Sequence, residues 1–405
     1  MAYVRHVVAE ALRRGWSVRL VTSEASLSHP ATQEVLANCP GLEVSTSLGD
    51  VLFPVGGGMI REAAYQLRQF ANFATAYERI SQRCVPDFVY CVNFEYFNRA
   101  MVVRGTPFGL TPFGGMLMRV RFHHREFGVS TPARCREVLN RRLFYRMLSI
   151  PRLCLFTTCD ELLLKCVGRA RPEYTSKLAY VPELSTVHIR SSIECARRAL
   201  GIAPDRFVVL AYGALSMRKG IRELLAAAAH PSFPANAMVL LAGALGEDLW
   251  PLMKGGAVEG LRRAGRLREL GGFLDNTTEH DVFRAADIVW LGYRGQYESS
   301  AVLVQAASMG LPVVACDEGL IAWWTRNHGI GEIVQVADTG SVAGAFSRLA
   351  SDRALRERYA ARGLAISSRH SPGAFSAAIC DAIARASKGA RPVPRDVIRE
   401  CAEVK

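Results

Sequence analysis

The sequence lacks several features that define common protein classes. No apolar run reaches the roughly 18 residues of a membrane-spanning helix, and residues 1–16 lack the apolar core and cleavage site of a signal peptide. No Cys-x-x-Cys pair occurs among the eleven cysteines, several of which lie inside apolar segments. We therefore expect reduced, buried thiols rather than a zinc site, in a cytoplasmic protein.

Acidic residues are few relative to basic ones. The chain has 37 Asp and Glu against 50 Lys and Arg, which gives a formal net charge of +13. The basic residues are scattered and no aromatic-rich basic motif accompanies them, so nucleic-acid binding is not expected. The charge suits nucleotide phosphates or the acidic inner face of a membrane, and peripheral membrane contact is one expectation.

At 405 residues the chain is too long for one ordinary core, so two domains are expected. Strands alternate with helices, which predicts two Rossmann-like α/β domains at residues 1–188 and 189–370. A helix at 371–387 is expected to pack back toward the first domain, and 388–405 reads as a flexible tail. The first domain begins on a helix, so its first strand and glycine loop are expected to be missing.

The stretch 292–319 has the pattern of a phosphate-binding unit. An apolar strand at Asp287–Leu291 leads through a polar loop to Ser299 and Ser300, which occupy an N-cap position before the apolar helix Ala301–Met309. Pro312 prevents the helix from continuing, and the next buried strand follows it. The start of such a helix offers backbone N–H groups and a positive dipole end to an anion.

A second strand–loop–helix lies at 208–228. Gly213 allows a sharp turn, and Arg218 and Lys219 place two cations just before a helix. A solvated basic loop is the alternative interpretation. Two such loops at the carboxyl ends of parallel strands would face one crevice, which favours a diphosphate site. Between the two loops we expect a helical region across 258–270 and a strand at Gly272–Leu274.

With both loops in place, the C-terminal half resembles the retaining GT-B glycosyltransferases of the family 4 type. The matching segments are Gly213 with Lys219-Gly220, the segment Gly271–Val289 ending in Ala-Asp-Ile-Val, and Gln305–Val314. The resemblance implies two Rossmann-like domains facing a cleft. It also implies a nucleotide-sugar co-substrate, most often a UDP- or GDP-sugar, with no further cofactor and with retention of configuration.

The sequence departs from that family at its functional positions. Family members carry an Arg after the first glycine, where this chain has Ala214, so Arg218 is the expected substitute. The second motif glutamate, which holds the ribose, is Gln305, and the first falls on Tyr297. Glu298, one position later, is the candidate for contacting the donor sugar.

Two glycines that lie beside the diphosphate in the family are serines here. They are Ser299 and Ser300, which can donate through both the backbone and the hydroxyl. Together with Ala301 they are the candidate diphosphate contacts on this side of the site.

The N-terminal half matches the family only in outline. The stretch Phe108–Gly115, expected to be a strand that runs into a glycine turn, lacks the family's functional histidine. His123 and His124 are the nearest candidates, although a histidine pair in a polar loop is more often solvated. Asn93 and Glu95 follow a strand and are candidates for the acceptor side, with Glu95 alternatively a first-turn helix acid.

The leading prediction is therefore a glycosyltransferase of hexosyltransferase type with an unidentified acceptor: a glycan, a lipid-linked sugar or a small molecule. Lys219, Arg218 and the helix start would stabilise the charge on the leaving nucleotide, and no Asp-x-Asp sequence indicates a metal. The alternatives are a non-catalytic nucleotide- or partner-binding protein of the same fold and a sugar-nucleotide epimerase.

Overall fold

The computed structural model describes residues 2–50, 58–131 and 137–389. The chain divides into two compact units. Unit 1 draws on residues 1–123, 133–181 and 373–405, and unit 2 on residues 124–132 and 182–372. Both units combine parallel strands with helices, as predicted. The expected flexible tail lies outside the described residues except for its first two positions.

The described residues of unit 1 form six short strands in two sheets. The strands are β1 Arg19–Val21, β2 Glu43–Ser45, β3 Val89–Cys91, β4 Phe113–Met116, β5 Leu153–Thr158 and β6 Leu178–Tyr180. β1 pairs with β2, and the second sheet has the order β3-β4-β5-β6, with every pairing parallel. The helices are α1 Ala2–Arg13, α2 Glu24–Leu27, α3 Pro30–Asn38, α4 Met59–Ser81, α5 Asn98–Arg104, α6 Glu137–Leu148, α7 Glu161–Ala170 and, from the C-terminal end, α17 Pro372–Gly389.

The last helix of the described chain packs against the first. The rings of Phe375 on α17 and Tyr3 on α1 lie 5.2 Å apart, and Arg14 forms an ion pair with Asp381 at 2.7 Å. Phe375 is fully buried. Apolar burial therefore joins the two ends of the described chain within unit 1, and the ion pair lies at the edge of that contact.

The glycines expected in a turn after Phe108 lie inside strand β4 instead. A Cβ on Gly114 would come within 2.4 Å of the Leu155 carbonyl, and one on Gly115 within 2.4 Å of the Cys91 carbonyl. The neighbouring strands approach so closely that no side chain fits. The glycine pair thus reports close strand packing, and the predicted turn was wrong.

Unit 2 has one six-stranded parallel sheet of order β12-β11-β10-β7-β8-β9. Its strands are β7 Phe207–Tyr212, β8 Ala237–Gly243, β9 Leu267–Gly271, β10 Ile288–Leu291, β11 Val313–Cys316 and β12 Gly331–Val334. Its helices are α8 Ile193–Ala199, α9 Ile221–Ala229, α10 Trp250–Met253, α11 Gly256–Arg263, α12 Asn276–Ala285, α13 Ala301–Ser308, α14 Gly319–His328, α15 Thr339–Ser351 and α16 Arg353–Ser367.

The strand order of unit 2 reverses between β7 and β10. From β7 the chain proceeds to β8 and β9 on one side, and then returns to place β10, β11 and β12 on the other. β7 and β10 are paired neighbours, with Val289 opposite Leu210. In open parallel sheets such a reversal opens a crevice at the carboxyl ends of the two strands, where ligands bind.

The predicted strand at Gly272–Leu274 was wrong by several residues. The strand is β9, which pairs with β8 from Leu267 onward and ends at Gly271. Helix α11 ends at Arg263, and Gly265 turns the chain with φ of 62°. The error arose because β9 is an edge strand with two adjacent charged residues between leucines at i and i+3, a spacing that resembles a helix. Among the described residues, no helix combines the length and apolar composition needed to cross a bilayer.

Candidate functional site

The loops that follow β7 and β10 form one continuous backbone surface. The Trp290 indole N–H donates to the Lys219 carbonyl at 3.0 Å, and Trp290 itself is buried. Gly220 adopts φ of 66°, and a Cβ placed on it would lie 2.1 Å from the carbonyl oxygen of Gly292. The two loops therefore meet only because position 220 has no side chain.

Lys219 is a buried cation at the end of β7. Lys219 is only 8% exposed, and its Nζ donates to the carbonyl of Tyr212. The ammonium also lies 5.3 Å from the ring centroid of Tyr293. Burial, followed by the charge of Arg218, lowers the pKa of Lys219 to about 8. Gly213 makes room for this amine, since a Cβ there would sit 2.9 Å from Nζ.

Arg218 places a second cation beside the lysine. Its side chain is exposed and donates to the side-chain oxygen of Gln296, and its carbonyl accepts the N–H of Arg294 at 2.7 Å. Ala214, where the family has an arginine, is exposed and carries no polar group. Because the Arg218 guanidinium is exposed, it can exchange Gln296 for an anionic ligand. Unlike Lys219, it has not lost its hydration in the free protein.

Helix α13 begins at Ala301, directly after the two serines, where the sequence predicts its start. Ser300 takes the N-cap position with an extended backbone, but its side chain makes no capping hydrogen bond to the helix. The Ser299 hydroxyl points elsewhere and donates to Glu183 at 2.7 Å. The first N–H groups of α13, from Ala301 onward, are therefore not capped by either serine and suit an external acceptor.

Tyr297 and Glu298 are held by their own loop. Tyr297 is 7% exposed, and its carbonyl accepts the N–H of Leu320 at 3.0 Å. Gly319 packs against the Tyr297 backbone, because a Cβ there would lie 2.6 Å from the tyrosine Cα. Glu298 accepts the N–H of Tyr297 at 3.1 Å. The carboxylate of Glu298 thus stabilises the loop in this conformation.

Gln305 belongs to a buried polar network that the sequence did not reveal. Its Nε2 donates to Glu279 at 2.8 Å and to the Thr186 hydroxyl at 3.1 Å. The Tyr212 hydroxyl donates to the same Glu279 oxygen at 2.7 Å. From the sequence alone, Glu279 reads as an ordinary acidic residue in the first turn of α12. Only the tertiary structure brings these four side chains together.

The candidate histidines His123 and His124 are buried, contrary to the expected solvated pair. His123 is fully buried in unit 1, and its Nε2 lies 2.8 Å from the Asp160 carboxylate. Phe122 packs edge-on against the imidazole. The other Asp160 oxygen caps α7 by accepting the N–H of Leu162 at 2.9 Å. His124, in unit 2, is 1% exposed.

Glu95 fixes the chain that follows β4. One of its oxygens accepts the N–H groups of Met118 and Arg119, the latter at 3.0 Å. Burial raises the pKa of Glu95, and the backbone N–H groups oppose that shift. The residue lies in a short 3₁₀ turn, Phe94–Tyr96, rather than in the first turn of an α-helix. Asn93 precedes it and is exposed.

Part of unit 2 is similar to a known family of domains. Residues 206–352 match the family model described as glycosyl transferases group 1. A phosphatidyl-myo-inositol mannosyltransferase of Mycobacterium leprae is 30% identical over 128 residues, which is 32% of this chain and 32% of that protein. The Mycolicibacterium smegmatis protein of the same name is 32% identical over 147 residues, or 36% of each chain. The match therefore spans about a third of these curated relatives.

Solved structures resemble nearly the whole chain. The Anabaena protein HepE in complex with UDP-glucose has a TM-score of 0.64 at 18% identity and covers 95% of both chains. WaaG, a glycosyltransferase involved in lipopolysaccharide biosynthesis, has a TM-score of 0.61 at 15% identity and covers 94% of both. The chain thus has the GT-B fold with two Rossmann-like domains. Together with the domain match, these comparisons support a glycosyltransferase.

Proposed function

We propose that this protein transfers a sugar from a nucleoside diphosphate donor to a lipid-linked acceptor. The observation that supports the proposal best is the buried ammonium of Lys219 at the switch point of unit 2. Burying a cation costs free energy unless a partner compensates it, and here Nζ donates to the uncharged carbonyl of Tyr212. A diphosphate at this point would supply the missing negative charge.

The proposed chemistry uses charge stabilisation. As the bond between the sugar and the diphosphate breaks, negative charge grows on the leaving nucleotide. Lys219, Arg218 and the N–H groups at the start of α13 would stabilise that charge from fixed positions, without reorganisation during the reaction. These groups can do what a divalent cation does in other transferases, so we propose a metal-independent reaction. Retention of configuration at the sugar is proposed only because the sequence resembles the retaining family 4 transferases.

The donor and acceptor classes are suggested by the relatives. HepE was solved with UDP-glucose, and the mycobacterial relatives are named as mannosyltransferases of phosphatidyl-myo-inositol. We propose a UDP- or GDP-sugar as the donor and a glycolipid-type acceptor. The net charge of +13 suits peripheral contact with an anionic membrane surface, where such an acceptor is located.

A second candidate is a non-catalytic nucleotide-binding protein of the same fold. Position 297 is a buried tyrosine, and the Glu298 carboxylate accepts a hydrogen bond from its own loop. In this conformation neither of these two residues offers a free carboxylate to a donor sugar. Such a protein would bind the nucleotide through the same phosphate loops and would not turn over a sugar.

Titration with nucleotides tests the shared part of both candidates. UDP, GDP and ADP are added separately while thermal unfolding is followed, and a ligand at 100 times its Kd should stabilise the fold by about 2.7 kcal/mol. We expect a clear rise in Tm with UDP or GDP, and loss of most of that rise in Lys219→Ala.

Arg222→Ala is the matched control, because Arg222 is an exposed cation on α9, three residues beyond Lys219. The response of this variant should equal that of the wild type. No rise in Tm with any nucleotide at millimolar concentration would refute the donor site. Equal losses in the two variants would show only a general charge effect and would remove Lys219 from the site.

A further inference from the structure

Glu279 is the acidic centre of the polar network at the end of β7. One carboxylate oxygen accepts hydrogen bonds from Tyr212 at 2.7 Å and from Gln305 at 2.8 Å. The other accepts from the Thr186 hydroxyl at 3.4 Å, a long hydrogen bond that leaves acceptor capacity. Glu279 is only partly buried, and the second oxygen is the one with capacity to accept from a ligand.

Gln305 cannot by itself replace a carboxylate in this network. An amide has one acceptor oxygen, and both hydrogens of this amide are directed at Glu279 and Thr186. A ribose presents two neighbouring hydroxyl groups, which a carboxylate accepts well because it has two oxygens and a charge. In this network the negative charge is on the carboxylate of Glu279. The Gln305 amide donates to that carboxylate and fixes its orientation.

Tyr212 connects this acid to the diphosphate loop. Its carbonyl accepts the hydrogen bond from Lys219, and its hydroxyl donates to Glu279. Burial and the neighbouring Glu279 raise the pKa of Tyr212, so the hydroxyl keeps its proton and remains a donor. One residue at the end of β7 therefore fixes both the cation and the acid.

The spacing along α13 suits one nucleotide. Gln305 comes four residues after Ala301, which is about one turn or 6 Å along the helix axis. Residues four apart share a helix face and side chains tilt toward the helix N-terminus, so the Gln305 side chain is directed along the face of Ala301 toward the end with the first N–H groups. A nucleotide with its diphosphate at the helix start would extend its ribose toward Glu279.

We propose that Glu279 binds the ribose hydroxyls of the nucleotide, and that Gln305 and Tyr212 are positioning residues that orient its carboxylate. The proposal rests on the proposed function, since it needs a nucleotide at the diphosphate loops. It assigns a specificity-determining role to a residue of α12 that no pattern in the sequence indicates.

Calorimetric titration with matched ligands tests the assignment. The wild type and Glu279→Gln are each titrated with UDP or GDP, whichever binds more tightly, and with its 2′,3′-dideoxy analogue. The wild type should bind the ribonucleotide about 10- to 100-fold more tightly, as expected for hydrogen bonds to a charged group. Glu279→Gln should reduce that ratio about tenfold and change dideoxy binding less than twofold. Glu279→Ala should reduce it further.

Glu247→Ala is the control, because Glu247 is an exposed acid of the same unit outside the network. It should leave the ratio unchanged. The positioning role of Gln305 predicts that Gln305→Ala lowers the ratio in the wild type and lowers it no further once Glu279 has been replaced. Unfolding curves for all variants confirm that the fold is retained.

Four results would overturn the proposal. An unchanged ratio in Glu279→Gln and Glu279→Ala would remove the acid from ribose recognition. An equal loss for both ligands would assign Glu279 a structural role only. If the wild type binds the dideoxy and ribose forms equally, the diphosphate site survives and the ribose assignment fails. If the wild type binds neither, the proposed function itself is refuted, and this proposal with it.

Discussion

The protonation of Lys219 should govern how nucleotide binding depends on pH. Burial lowers the pKa of its ammonium to about 8 in the free protein. At pH 7 about nine-tenths of the protein therefore carries the proton, and at pH 9 about one-tenth does. A diphosphate beside Nζ favours the charged form, so binding above pH 8 must be accompanied by proton uptake.

The size of the effect follows from this protonated fraction. If the bound ammonium stays charged throughout, the apparent affinity falls about tenfold between pH 7 and pH 9. Isothermal titration of UDP or GDP across this range, in two buffers of different ionisation enthalpy, measures both the affinity and the protons taken up. We expect uptake to approach one proton per site at pH 9.

Lys219→Arg is the appropriate comparison, because an arginine keeps its charge across the whole range. The affinity of this variant should vary with pH only through titration of the nucleotide. Its pH profile is therefore subtracted from that of the wild type, which leaves the contribution of Lys219. Identical pH profiles for the two proteins, with no proton uptake in the wild type at pH 9, would refute the assignment of Lys219 to the diphosphate.

Two further predictions concern the fold that supports the site. Gly220→Ala should destabilise unit 2 by roughly 3 kcal/mol and abolish nucleotide binding, because its Cβ would overlap the Gly292 carbonyl. Gly256→Ala is the control, because a Cβ there meets open space, and it should be nearly neutral. Chemical denaturation measures both changes in the free energy of unfolding. Asp160→Ala should cost roughly 2–4 kcal/mol in the unfolding of unit 1, since it removes both a helix cap and the partner of His123. The exposed cap Asp275→Ala should cost only about 1 kcal/mol, and equal costs for the two aspartates would mean that the histidine contact contributes nothing.

The sequence predicted the strand and the helix beside the two loops well because the signals there are local. β7 and α13 are marked by apolar runs bounded by glycine, serine and proline, and both elements lie where the pattern predicts. Lys219 precedes its helix by one glycine, so its place at the end of β7 follows from short-range geometry. The prediction that it binds a diphosphate is still to be tested.

The polar network around Glu279 was not predictable from the sequence. Glu279 lies 26 residues from Gln305 and 67 from Tyr212 along the chain, and only the tertiary fold brings these side chains together. The buried histidine has the same explanation, because Asp160 lies 37 residues beyond His123. The spacing of apolar residues within a short window indicates a helix or a strand. Polar residues that become partners across long stretches of chain produce no such spacing.

Release of a nucleoside diphosphate from a nucleotide sugar tests the central claim most directly. The protein is incubated with UDP- and GDP-sugars and with anionic vesicles that contain phosphatidylinositol, and released diphosphate and glycosylated lipid are both measured. We expect release of diphosphate from at least one donor, with a matching amount of lipid product. The rate of release should fall at least tenfold in Lys219→Ala. Nucleotide binding without release from any donor would contradict it and would favour the non-catalytic alternative.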